Sequence, residues 1–362
     1  MIEMPLWLLA FGSVAFLLLI IMAGMPIAFA LLLTGLLGMA VSAGPEVALA
    51  TLGTVPYSAV SEFLYTCVPL FILMGHFAFV SGIAEKAYAS CYMLVGRVRG
   101  GLSIASIAAC ALFAATSGSS VATAATVGKA AIPAMERRGY DGAFACAALA
   151  AGGTLGILIP PSIVLVVYGI ITGESIGRLL LAGFVPGILS ALNYMLIVWV
   201  SVRINPNLAP TGPTYTWREK LGSLPGLWGF ALLIFVVMWG IYFGWATPTE
   251  AAALGALAAM CLALPRILKD RRLLIDGLWD TVYTVSMVFL IIIGATEFSL
   301  FMTRAGIMDS FTEYIVHLPV PGVVILVFIF AWFIPLGMFF DSMSILLITV
   351  PLIYPVVTAL GY

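Results

Sequence analysis

Two helix-breaking clusters lie within residues 116–162: Thr116-Ser117-Gly118-Ser119-Ser120, and Gly152-Gly153-Thr154-Leu155-Gly156-Ile157-Leu158-Ile159-Pro160-Pro161-Ser162. The sequence around them suits lipid. Of the whole chain, 63% is hydrophobic and 9% charged, against about 25% charged in soluble domains. In hydrocarbon every backbone amide and carbonyl needs a partner, so irregular backbone survives only where protein covers it or where it lines a cavity. One such cluster would fit a close helix crossing, which small residues permit. Two, one with a Pro-Pro, point to a helix hairpin followed by a broken span. Elements of this kind expose amide dipoles and carbonyls for ion and anion sites.

Apolar runs of crossing length fall near 5–22, 26–43, 67–81, 143–171, 179–201, 225–245, 248–264 and 283–303. Shorter apolar hairpins fall near 101–135 and 322–357. The expected fold is therefore an all-α polytopic membrane protein with re-entrant helical hairpins and broken helices. Residues 83–99 and 307–318 are amphipathic and read as helices at the membrane surface; the second puts Ile307, Phe311, Tyr314, Ile315 and Leu318 on one face. A net charge of −1 gives no basis for binding nucleic acid. Cys67, Cys91, Cys110, Cys146 and Cys261 lie in apolar segments without C-x-x-C spacing, and read as small core residues rather than disulfides or metal ligands. His76 and His317 have no partner spacing. Glu3 stands where a signal peptide would carry a base, so 5–22 reads as a retained span.

An internal repeat is visible. Pro26 and Pro248, Gly100 and Gly322, Ser120 and Ser342, Pro133 and Pro355, and Gly139-Tyr140 and Gly361-Tyr362 all share one offset of 222 residues. This predicts a first repeat over 1–202, with hairpin 101–138 and broken span 143–171. A Pro-rich linker at 203–223 then leads to a second repeat over 224–362, with hairpin 322–360. Placing the linker in the cytoplasm puts all but Arg178 and Arg304 of the fifteen basic residues on that side, as the positive-inside rule requires. The two hairpins then enter from opposite faces, so the repeats are inverted.

Ser117, Ser119 and Ser120 fall where the first hairpin turns. Hydroxyls and freed carbonyls are hard oxygen ligands, suited to a hard cation such as Na⁺. Gly156 and Pro160 break the next span, where carbonyls such as that of Ile159 lose their helical donors. The same serines would also cap the hairpin's second helix. Asp341, in Gly337-Met338-Phe339-Phe340-Asp341-Ser342, aligns with Ser119 under the repeat, and a carboxylate inside a membrane segment is a functional candidate. Thr247-Pro248-Thr249-Glu250 reads instead as a capping box. Lys129 reads as snorkelling toward the cytoplasmic face.

Ser117-Gly118-Ser119-Ser120 with Gly139-Tyr140-Asp141, then Gly152-Gly153 to Pro160-Pro161-Ser162, resembles the large membrane subunit of TRAP (tripartite ATP-independent periplasmic) transporters. Thr247-Pro248-Thr249-Glu250-Ala251-Ala252-Ala253 and the hairpin at Asp341-Ser342 are similar to the same family, and the resemblance covers essentially the whole chain. It implies a multi-pass inner-membrane secondary transporter of elevator type, driven by a sodium gradient. It also implies a small membrane subunit and a periplasmic binding protein delivering an organic acid. The implied sodium and substrate site takes in Ser117, Gly118, Ser119, Ser120, Gly156, Ile159, Pro160, Pro161 and Ser162, with Gly337, Asp341 and Ser342 from the second hairpin. Within it Na⁺ is expected at Ser117, Ser119, Gly156, Ile159 and Pro160, as coupling ion and with no other cofactor. The family has a second broken span after its second hairpin. The chain stops at Tyr362, so the natural reading frame is expected to run on by about 30 residues, one span.

Two other functions compete. A sodium/proton or inorganic-anion antiporter would use similar hairpins. An intramembrane hydrolase using Ser117 or Ser119 would need a base beside the nucleophile, and neither H-E-x-x-H nor a first Gly before Ser117 is present, so an enzyme is not expected.

Overall fold

The computed structural model of the chain describes residues 5–362; Glu3 lies outside them. Among the described residues there are helices and loops and no strand. A turn at Gly24, φ 94°, joins α1 (Leu6–Met22) to α2 (Ile27–Ala43). After Gly44 comes α3 (Pro45–Ser58). Gly82 alone separates α4 (Cys67–Ser81) from α5 (Ile83–Val95). Next come the hairpin of α6 (Gly101–Ser117) and α7 (Ser120–Glu136), and a broken helix, α8 (Gly142–Thr154) and α9 (Ile163–Thr172). A single long helix follows, α10 (Ile176–Ile204). Residues 217–242 are one helical run made of α11 (Trp217–Ser223), α12 (Trp228–Ile234) and α13 (Gly240–Tyr242), with a tighter turn at Leu224–Leu227 and a π turn at Phe235–Trp239. The chain then runs through α14 (Pro248–Ile267), α15 (Arg272–Arg304) and α16 (Ile307–Val316) to a second hairpin, α17 (Gly322–Phe339) and α18 (Ser342–Ala359). Six helices among the described residues are long and apolar enough to cross a membrane.

The chain forms two compact units. One holds residues 66–282. Its centre is α6, in which fourteen of seventeen residues are buried, so this helix is covered by protein rather than lipid. By contrast α10 buries seven of twenty-nine and leaves leucines and valines outward. What α10 does cover is the break in the α8–α9 helix. A Cβ on Gly183 would lie 2.8 Å from the Leu158 carbonyl oxygen, and one on Gly187 would lie 2.6 Å from the Ile159 side chain. Glycine at these positions lets a straight helix lie against irregular backbone.

The other unit holds residues 1–65 and 283–362. Its tightest crossing is between α2 and α15. A Cβ on Gly35 would come 2.7 Å from the Phe298 amide nitrogen, and one on Gly38 would come 2.6 Å from the Phe301 ring. Small residues bring the two backbones together, as membrane helices do without a hydrophobic drive between them.

Helices stand where the apolar runs and hairpin arms are expected, with three differences. The stretch 45–58 is a helix that no apolar run signals. Its start is nonetheless encoded by Pro45 at the first position and Glu46 in the first turn. The expected linker 203–223 contains α11, opened by a capping box between Thr216 and Glu219. And α15 begins at Arg272, well before 283, because Asp276 and Asp280 interrupt the apolar run without interrupting the helix. Cys67, Cys91 and Cys110 are buried as expected, but Cys146 and Cys261 are exposed; none of the five forms a disulfide. Burial pushes the Cys91 thiol up to about 11.

Candidate cation and substrate site

The tip of the α6–α7 hairpin is built by Gly118, which ends α6 at φ 60°, and by Ser119, which is extended and caps α7. The Ser119 hydroxyl accepts from the Ala122 amide at 3.4 Å, and its carbonyl oxygen accepts from the Thr123 hydroxyl at 2.7 Å. The Thr123 and Ser117 hydroxyl oxygens are 2.7 Å apart. Thr123 has one hydrogen and gives it to Ser119, so Ser117 is the donor in the second bond. Ser117 is 6% exposed and Thr123 is fully buried. The Ser119 carbonyl also accepts the Thr123 amide at 3.1 Å, so the three residues form an oxygen cluster in which the two buried hydroxyls keep acceptor capacity.

The broken helix meets this tip. After Thr154 the chain makes one tighter turn, Leu155–Ile157, and runs irregularly through a cis Pro160–Pro161 bond to Ser162, which caps α9. The buried Ser162 hydroxyl donates to the Ile157 carbonyl at 2.6 Å, closing the break on itself. A Cβ on Gly118 would lie 2.9 Å from the Ile163 amide nitrogen and 3.2 Å from the Pro161 carbonyl oxygen. On Gly156 it would lie 2.5 Å from the Ser119 carbonyl oxygen. The two glycines are therefore the surfaces on which hairpin and break touch. The N-termini of α7 and α9 both open here, each with positive dipole character. Ser117, Gly118, Ser119, Ser120, Gly156, Ile159, Pro160, Pro161 and Ser162 thus belong to one neighbourhood. All are buried except Ser119 and Ser120, which are half-buried.

Gly337, Asp341 and Ser342 belong to the other unit. Asp341 caps α18, accepting from the Met343 amide at 3.0 Å and the Ser344 amide at 3.3 Å, and from the Ser344 hydroxyl. It is exposed, as is Gly337, and Ser342 is half-buried in the first turn of α18.

Other residues singled out in the sequence are structural. Thr247 and Glu250 form the expected box, with the Thr247 amide donating to Glu250 Oε2 at 2.7 Å. Lys129 lies over the Phe79 ring, 5.2 Å from its centroid. Tyr140 accepts the Leu102 amide at 3.1 Å, which fixes the start of α6; burial pushes its hydroxyl upward. Arg138 stacks on the Tyr92 ring and donates to its hydroxyl.

Two titratable groups escape a reading based on apolar runs. His76 Nδ1 lies 3.6 Å from Asp280 Oδ2, a pairing invisible because the two are far apart in sequence. Glu297 is fully buried and takes a hydrogen-bond contact from Thr51 at 2.6 Å. The signal was present, since it is the one acidic residue inside the apolar run 283–303.

Three comparisons agree with this architecture. Residues 14–362 match the family described as the tripartite ATP-independent periplasmic transporter, DctM component. The C4-dicarboxylate TRAP transporter large permease of Pseudomonas aeruginosa is 37% identical over 303 residues, covering 83% of the chain and 70% of the relative. The sialic acid TRAP transporter large permease of Vibrio cholerae is 31% identical over 345 residues, covering 94% and 79%. Among solved structures, the Alcanivorax borkumensis YdaH transporter is similar in fold, with TM-score 0.57 and 15% identity over 87% of this chain and 74% of that one. The hairpin, the broken span and the match over nearly the full length lead to one conclusion: the chain belongs to the DctM family, the large permeases of TRAP transporters, which are multi-pass proteins of the bacterial inner membrane and not enzymes.

Proposed function

We propose that this permease imports an organic acid coupled to a sodium gradient, with a periplasmic binding protein delivering the substrate and a small membrane subunit completing the assembly. The observation that carries the reading is the contact of the hairpin tip with the broken span. There the Ser119 carbonyl, the Ser117 and Thr123 hydroxyls and the freed backbone of 156–161 gather oxygen ligands around buried irregular chain. Such a set suits a hard monovalent cation. The organic-acid class rests on the helix N-termini at Ser119 and Ser162, which offer amide dipoles to a carboxylate. It also rests on relatives named for C4-dicarboxylate and sialic acid transport. Asp341 and Ser342 are the candidate ligands of the second hairpin, and transport is of elevator type.

The test is uptake by proteoliposomes holding the permease and its small subunit. A sodium gradient should drive accumulation of a labelled dicarboxylate or sialic acid only when the binding protein is present. Accumulation that follows a proton or chloride gradient without a binding protein would replace this reading with an antiporter.

A further inference from the structure

Glu297, on α15, has no measurable exposure. Its Oε1 lies 2.6 Å from the Thr51 hydroxyl oxygen, on α3, and its Oε2 has no hydrogen-bond partner among the described residues. The Thr51 hydroxyl oxygen also lies 2.9 Å from the Ala48 carbonyl oxygen. A hydroxyl carries one hydrogen. The Ala48 carbonyl can only accept, so that one hydrogen serves either Ala48 or Glu297 and not both. Both contacts hold a hydrogen at once only if the carboxyl supplies the second.

Charge leads to the same place. A buried carboxylate is stabilised by a paired cation, a metal or several donors, and otherwise it neutralises. The unit of residues 1–65 and 283–362 contains a single Lys or Arg, Arg304, which is exposed and seven residues further along α15. Its one histidine, His317, is exposed and bound to the Glu313 carbonyl. The other described carboxylates of the unit, Glu46, Glu62, Asp309, Glu313 and Asp341, are all exposed. Around Glu297 itself, α2 contributes only uncharged side chains, and its Gly35 brings backbone against the Glu297–Phe298 peptide.

We propose that Glu297 is a proton-binding site inside this unit. The bound proton completes a relay from the Glu297 carboxyl to the Thr51 hydroxyl to the Ala48 carbonyl, and so ties α3 to α15. Removing it would leave one hydrogen for two contacts, so that Thr51 must give up either Ala48 or Glu297. Proton occupancy and the α3–α15 contact are therefore linked.

Infrared difference spectra of the reconstituted full chain, wild type minus Glu297→Gln at neutral pH, test this. The expected result is loss of one carbonyl band of a neutral carboxyl that shifts in D₂O. Loss of the paired stretches of an ionised carboxylate would overturn the proposal. Thr51→Val provides a second reading should the Gln variant fail to fold. Removing the acceptor must move the same neutral-carboxyl band, whereas a carboxylate band that moves instead, or no band that moves, would also overturn it.

Discussion

The carbonyl oxygen of Ser119 lies 2.5 Å from the point that a Cβ on Gly156 would occupy. The hairpin tip and the broken span therefore touch through backbone, and nothing larger than hydrogen fits between them. Gly156→Ala must push Ser119 away, and neither side of the contact is a flexible side chain. Overpacking of this kind costs about 1–3 kcal/mol. Sodium-driven uptake by the reconstituted assembly should fall at least roughly tenfold, the equivalent of about 1.4 kcal/mol. Wild-type uptake in a well-expressed variant would show that this contact does not shape the site.

The coupling ion can be tested without dismantling the caps. Asn caps a helix about as well as Asp, so Asp341→Asn keeps the bonds to Met343 and Ser344 while removing the charge. Ser117→Ala removes one hydroxyl from the buried cluster and leaves the Ser119 cap intact. Both should raise the sodium concentration giving half-maximal uptake, and the double variant should raise it further. Sodium dependence unchanged in both would return these residues to a structural role.

Burial pushes the Tyr88 hydroxyl up to about 12 from the ordinary 10.0. Ionisation is thus harder in the folded protein than in the unfolded one. The resulting stability is complete below the unfolded value and is lost as pH rises through the folded one. Thermal unfolding in detergent should move to lower temperature between pH 10 and pH 12. Tyr88→Phe should make that fall smaller, and an identical pH profile would contradict the burial effect.

What could be read in the sequence was what repeats or breaks a pattern. The clusters at Gly118 and at Gly156 to Pro161 announced the hairpin and the broken span, since glycine and proline act locally. Their contact could not be read, because Ser119 and Gly156 are brought together only by packing. The helix at 45–58 was hidden for a different reason, as its residues are too mixed for an apolar run and its signal lies in two capping positions. Asp276 and Asp280 disguised the true start of α15, since hydropathy registers charge and not helix continuity. Glu297 was conspicuous as a lone acid in an apolar run, but its partner Thr51 lies 246 residues away.

The α2–α15 crossing gives a prediction in which the sign itself is at stake. Gly→Ala inside a helix ordinarily stabilises by roughly 0.5–1 kcal/mol, because glycine loses more backbone freedom on folding. Gly53, in α3, has nothing within 4 Å of the place its Cβ would take, so Gly53→Ala should follow that rule and raise the unfolding temperature. Gly35 is different. Its added Cβ would sit 2.7 Å from the Phe298 amide nitrogen and 2.8 Å from the Glu297 carbonyl carbon, both backbone atoms that cannot rotate away. The helices must separate, and the lost packing outweighs the entropic gain. Gly35→Ala should therefore lower the unfolding temperature while Gly53→Ala raises it. The separation would also loosen the α15 backbone next to Glu297, so the neutral-carboxyl band should broaden in the Gly35 variant and stay unchanged in the Gly53 variant. Thermal unfolding of the two proteins in the same detergent decides the point. Equal upward shifts would mean that α2 and α15 are not in backbone contact.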